Sequence, residues 1–143
     1  LYKNARVDQA ILDEAFGIYG WQRSHMMIGN SLYCTVSIWD PEKKTWISKQ
    51  DVGTTGDFEK EKSAASDSFK RACVNLGIGR ELYTAPFIWV PESKLNLCDR
   101  NGKKTTHDRF RVEKILITET HKITALSIWN DTKNCRAFVW QAS

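Results

Sequence analysis

GTTGDFEKEKSAASDSFKRACVNLGIGRELY, residues 53–83, changes character at Phe58. Upstream, Gly53, Thr54, Thr55, Gly56 and Asp57 favour turns, whereas about eighteen residues without Gly or Pro follow, enough for a helix of about five turns. At 100° per residue Ala65, Phe69, Ala72, Cys73 and Leu76 share one stripe, which is the expected buried face. Lys60, Asp67 and Arg71 fall on the opposite side with Lys70 beside them. Gly77 and Gly79 are candidates for the C-terminal cap, and Arg80 follows at once.

Backbone amides of a Gly/Thr-rich turn running into a helix N-terminus present fixed donors to an anion such as a phosphate. The turn is not a nucleotide loop, because no Gly-Lys-Ser/Thr follows it, and Gly77-Ile78-Gly79 lacks the third glycine of a dinucleotide fingerprint. No ATP, NAD or other cofactor is expected.

Working outward, Asn4 caps a short helix through residue 15, with Val7, Ile11, Ala15 and Leu12 as its expected buried stripe. Strands are expected at residues 21–28 and 32–39, joined at Gly29-Asn30, and at 45–52 after the turn Asp40-Pro41-Glu42-Lys43-Lys44. Beyond the central helix, Pro86 and Pro91 bracket an extended piece lying on the core. Asn101-Gly102 signals a hairpin, with a loop as the alternative, and three strands at 111–119, 122–129 and 135–141 form a meander. The fold class is therefore α+β: a helix, then a three-stranded antiparallel sheet packed on a central helix (a β-β-β-α core), then a C-terminal antiparallel meander.

A chain of 143 residues with 41% hydrophobic and 27% charged side chains has ordinary globular composition, and +4 is a mild basic bias that permits a nucleic-acid partner. Cys34, Cys73, Cys98 and Cys135 are spread singly, so neither a zinc site nor a disulfide framework is implied, and they read as small buried residues of a reducing cytosol. No apolar run approaches the roughly 20 residues that span a bilayer and no signal-like N-terminus is seen, so no membrane partner is expected. Six Trp suit an interface as well as a core, with Trp39 and Trp129 as candidates.

Titratable groups converge little. Asp51, Asp57, Glu59 and Glu61 are an acidic cluster of the kind a metal-dependent nuclease uses, yet Glu59 and Glu61 alternate with Lys60 and Lys62 as in the solvated first turn of a helix. No catalytic residue and no metal ligand is assigned. Cations are better placed. Arg23 and His25 share a side of the first strand with Trp21 and Met27, Lys43 and Lys44 sit in the next turn, and with the basic helix they outline a groove for a phosphate backbone. The competing reading is scattered surface charge.

Residues Arg6-Val7 through Phe16-Gly17, Gly20-Trp21, Asp51-Val52-Gly53, Lys62, Ser66-Asp67, Phe69-Lys70-Arg71-Ala72 and Leu76-Gly77 together resemble the DNA-annealing domain of the Rad-fifty-two superfamily. Phage annealing proteins of Sak type are also similar through Gly77-Ile78-Gly79-Arg80 to Leu82-Tyr83. The resemblance covers roughly residues 5–91, so residues 1–143 are expected as one DNA-annealing domain, with 1–91 the annealing core and 92–143 a C-terminal β extension. It implies a ring or open helical oligomer, an outer basic groove for single-stranded DNA, and annealing of complementary strands without ATP in recombination and repair. Lys70 and Arg71 match the family's adjacent basic pair, and Arg6 and Lys62 match further DNA-associated positions. The chain departs at Val74, where eukaryotic members carry Arg, and its C-terminal meander has no alignable counterpart.

The reading is a non-enzymatic single-stranded DNA-binding protein whose DNA-binding residues are Lys70, Arg71, Lys62, Arg6, Lys60, Arg80, Arg23 and Lys43. Its expected partners are single-stranded DNA and complementary strands, further copies of itself, and a single-strand-binding protein. A cytoplasmic location is expected, that of the bacterial host if a phage encodes it. The alternatives are a double-stranded RNA-binding module, which shares the order helix, three strands, helix, and a metal-dependent nuclease using Asp51, Asp57 and Glu59.

Overall fold

The computed structural model describes residues 1–54 and 60–142, with the first three positions of the central helix, 60–62, described by backbone alone. They divide into two compact units, Leu1–Arg80 and Glu81–Ser143. The class is α+β, and both units are built on antiparallel sheet.

The first unit runs α1 (Ala5–Phe16), β1 (Trp21–Ile28), β2 (Ser31–Asp40), β3 (Thr45–Val52) and α2 (Lys60–Asn75). The strands pair in the order β1-β2-β3 through short turns at Gly29-Asn30 and after Asp40, as the turn residues require. Register sets Arg23 opposite Val36 and His25 opposite Cys34, which in turn faces Asp51 on β3. Because side chains alternate along a strand, these residues share the face on which α2 lies. Leu12, Cys34, Val36, Phe69, Ala72 and Cys73 close the core there, with Trp21, Ile38 and Leu76 packed around them.

The buried stripe of α2 differs slightly from the expected one. Ala64 and Ser68 are buried beside Phe69, Ala72 and Cys73, while Ala65 is half-buried. Ser68 is hidden because it is small and its hydroxyl donates to the Ala65 carbonyl at 3.1 Å. The helix also rests on Gly53, where a Cβ would stand 2.2 Å from the Ala64 carbonyl oxygen, so the missing side chain sets how close α2 comes to the sheet.

For α1 the expected stripe holds at Leu12 and fails at its other three positions. Only Asp8 and Leu12 are buried, whereas Val7, Ile11 and Ala15 face solvent. Asp8 turns inward because Lys3 pairs with it, and an acid so compensated can occupy a buried position that hydrophobicity alone would give to a neighbour. The Asn4 cap forms as expected, its side chain accepting from the amides of Arg6 and Val7.

The second unit opens in a short 3-10 turn, Arg80–Thr84, and continues into an extended segment in which Ile88 packs inward. After a second 3-10 turn, Glu92–Lys94, come β4 (Leu97–Arg100) and β5 (Lys103–Thr106), so Asn101-Gly102 does make a hairpin. Both turn residues have positive φ, 56° and 76°, the conformation that Asn-Gly suits. The meander is β6 (Phe110–Ile117), β7 (Ile123–Asn130) and β8 (Cys135–Gln141), with Ile123, Leu126 and Ile128 of the middle strand at the centre of a separate core. β6 ends two residues before the expected limit because Thr118 bonds back to Lys122 through both main chain and hydroxyl.

Buried Asn130 ties the loops of this unit together. Its amide donates to the Lys94 carbonyl and to Asp108, and its oxygen accepts from the amides of Thr132 and Lys133. Among the described residues no helix is long and apolar enough to cross a membrane.

Candidate nucleic-acid interface

A cleft of about 370 Å³ opens between α1, β1 and α2, lined by Asn4, Ala5, Arg6, Gln9, Arg23 and Ser66. Arg6 reaches it from the first turn of α1 and Arg23 from the edge strand, so two cations distant in sequence meet in one concavity. The N-terminus of α1 lies there too, its Arg6 and Val7 amides taken up by the Asn4 cap, and the positive end of its dipole adds to the potential. Arg23 is held in place: its guanidinium carbon lies 4.7 Å above the Phe69 ring. Trp21 stacks on the same ring, with centroids 6.0 Å apart, and donates its indole N–H to Asp13. Ser66 sits one turn from both Lys62 and Lys70 along the same side of α2, although the Lys62 side chain lies outside the described residues.

The basic pair lies toward β3. Arg71 bonds through Nε to Asp51 at 3.2 Å, and Asn75 donates to the other oxygen of that carboxylate and to the Gln50 carbonyl. Lys70 stands 3.9 Å from Asp67, which also accepts from the amide and hydroxyl of Thr54. Both cations are thus oriented by acids while remaining partly exposed. Such surface pairs are worth about 0–1 kcal/mol, so a phosphate can compete for the cation.

Arg80 and Lys43 are placed differently. Arg80 donates to the Val74 and Asn75 carbonyls and so closes the C-terminus of α2, where a cation complements the helix dipole. Lys43 lies in the β2–β3 turn, 3.4 Å from Asp40. The Asp40 carboxyl is held below its ordinary range, chiefly by the Lys43 amide, against some desolvation. Lys60 begins α2, but its side chain lies outside the described residues.

Asp57 and Glu59 of the acidic cluster also lie outside the described residues, as does the Glu61 side chain. Asp51 is engaged by Arg71 and Asn75. Among the described residues no three His, Cys, Asp or Glu gather as a metal would need. Burial pushes the Cys34 thiol up to about 11 and the Cys73 thiol up to about 12, so neither is a nucleophile near neutral pH. Cys98 and Cys135 are only half-buried, contrary to the reading of all four as core residues. His25 bonds the Ala65 carbonyl and thereby fixes β1 to α2.

Part of the chain is similar to a single-stranded DNA-binding protein. Over 46 residues it is 48% identical to single-stranded DNA-binding protein DdrA of Deinococcus deserti, a match spanning 31% of this chain and 23% of that protein. No family model matches the chain, and no solved structure does. The similarity supports a single-stranded DNA-binding reading of the chain.

Gln9 was not singled out in the sequence, while Asn4 was read only as a helix cap and Ser66 only as part of the family resemblance. Ser66 carries a signal, since it lies at helical spacing between Lys62 and Lys70. Gln9 carries none, because its place in the cleft depends on how α1 is rotated.

Proposed function

We propose that this chain binds single-stranded DNA through its basic surface and promotes annealing of complementary strands, in recombination or repair, without ATP. The observation that carries the reading is the convergence of Arg6 and Arg23 on one cleft beside the N-terminus of α1, in a chain partly similar to a single-stranded DNA-binding protein. Arg6, Arg23 and the Lys62 position serve one flank of α2, Arg71 serves the other, and Lys70 lies between them. Cations on both flanks neutralise phosphates of a bound strand while its bases remain available for pairing. Lys60, Lys43 and Arg80 are further contact candidates, Arg80 through guanidinium donors left over from its helix cap.

Self-association extends the groove from one protomer to the next, as a ring or a helix. Exposed Val7, Ile11 and Ile18 near α1, Met26 and Met27 on edge strand β1, and Trp39 paired edge-on with Trp46 supply apolar surface for it. Trp129, the other interface candidate, is half-buried in β7. A single-strand-binding protein that presents the DNA is a natural partner in a cytoplasmic setting.

The test is equilibrium binding to unstructured single strands over a salt series. Six phosphate contacts give a log–log slope of about −4, with little dependence on base sequence. A flat salt response, or tighter binding to A-form duplex than to single strands, overturns the proposal.

A further inference from the structure

We infer that the second unit carries its own single-strand contact, in which Phe87 and Trp89 stack on bases and the β4–β5 tip, through Arg100 and Lys103, holds phosphates. The inference rests on the single-stranded DNA reading above but assigns residues which that reading does not use.

The rings are exposed against expectation. Phe87 is 84% exposed and Trp89 71%, although burying such side chains would contribute about 1.5–3 kcal/mol apiece. Their exposure is built in. Ala85, Pro86, Ile88 and Val90 are half-buried while Phe87 and Trp89 are exposed, the alternation of an extended chain anchored by every second side chain. Ile88 is that anchor, packed on the core around Leu126 and Ile128, and Pro86 and Pro91 stiffen the two ends. Rings held outward two residues apart stand roughly 6.5 Å from each other along such a chain. That leaves room for a base on each.

The hairpin breaks a rule in the same way. Arg100 and Lys103 are directly opposite on β4 and β5, and like charges so paired are destabilising. Among the described residues neither has an ion-pair partner, whereas their neighbour Lys104 pairs with Glu92 at 3.3 Å and Asp99 is taken up by the Gly102 amide. Two uncompensated cations at an exposed tip favour a polyanion. Glu92 directly follows Pro91, so its bond to Lys104 keeps the hairpin beside the end of the aromatic segment. Residues 81–143 also hold ten Lys and Arg against seven Asp and Glu, a net of +3 within the chain's +4, so the basic excess lies mostly in this unit.

The experiment compares the full chain with Phe87→Ala/Trp89→Ala, Trp89→Tyr and Arg100→Gln/Lys103→Gln, using oligothymidylate and an abasic strand of equal length. The ring variant should bind oligothymidylate about tenfold more weakly per ring lost, with the salt slope unchanged and abasic binding unaltered. Trp89→Tyr should stay near the parent. The hairpin variant should flatten the salt slope by about 1.4 on both strands. All the changed side chains are exposed, and an unchanged melting temperature establishes that folding is not at issue. If the parent binds oligothymidylate and the double variants match it in affinity and slope, this inference is overturned while the proposed function stands. A ring variant that instead changes only the particle mass, or loses abasic binding equally, also overturns it. A parent that binds neither strand overturns both.

Discussion

The guanidinium of Arg23 stands over the ring of Phe69, 4.7 Å from its centre, so one aromatic side chain is at once the middle of the first core and the platform for a cleft cation. Phe69→Ala should lose about 3–5 kcal/mol of unfolding free energy in urea denaturation, since the ring is fully buried. Arg23→Ala should cost only about 0.5–1 kcal/mol of stability, the range of an exposed cation–π contact, while weakening single-strand binding. Equal stability losses in the two variants would mean that Arg23 is a packing residue and not a ligand-facing one.

Lys70→Ala combined with Arg71→Ala removes two cations without touching the buried stripe of Phe69, Ala72 and Cys73. Binding should weaken by about 1–3 kcal/mol, the range of lost charge-assisted hydrogen bonds. Stability should hardly move, because the pairs to Asp67 and Asp51 are partly exposed. Annealing of complementary strands at the parent rate would make this face a solvated one.

Asp51→Asn releases Arg71 from its counter-charge and should tighten single-strand binding several-fold at low salt, about 0.5–1 kcal/mol. The same variant tests the nuclease alternative. Magnesium-dependent cleavage present in the parent and lost in Asp51→Asn would replace the annealing reading.

Glu113 is bonded by both nitrogens of the Arg136 fork, at 2.6 and 2.7 Å, and by the Ser127 hydroxyl, and chiefly the Arg136 bonds lower its pKa to about 2. A carboxyl depressed from about 4.5 binds a proton more readily unfolded than folded. Its contribution is therefore fully present above pH 4.5 and is lost as pH falls toward 2. Denaturant unfolding followed across that window should show a steeper loss of stability in the parent than in Glu113→Gln. Parallel curves would mean that the pair contributes nothing to stability.

Local chemistry alone determined where the elements begin and end. Gly29-Asn30, the Asp40 to Lys44 turn and Asn101-Gly102 mark the hairpins, and Asn4 and Gly77 bound helices, because turn and cap residues choose backbone angles without reference to the rest of the chain. Alternation along β2 likewise assigns Cys34 and Val36 to the core and Thr35 and Trp39 to the other face. The cations of the site were legible as residue types. Their company was not. That Arg6 meets Arg23, that Arg71 meets Asp51, that Arg80 turns back on its helix, and that α1 buries Asp8 while showing Val7 and Ile11 to solvent all depend on how each helix is rotated on the sheet. That rotation is a non-local balance of packing volume, the close approach at Gly53 and the compensation of one buried acid by Lys3. No periodicity within a single helix contains it, so only the tertiary structure decided which charges face each other and which remain open to a partner.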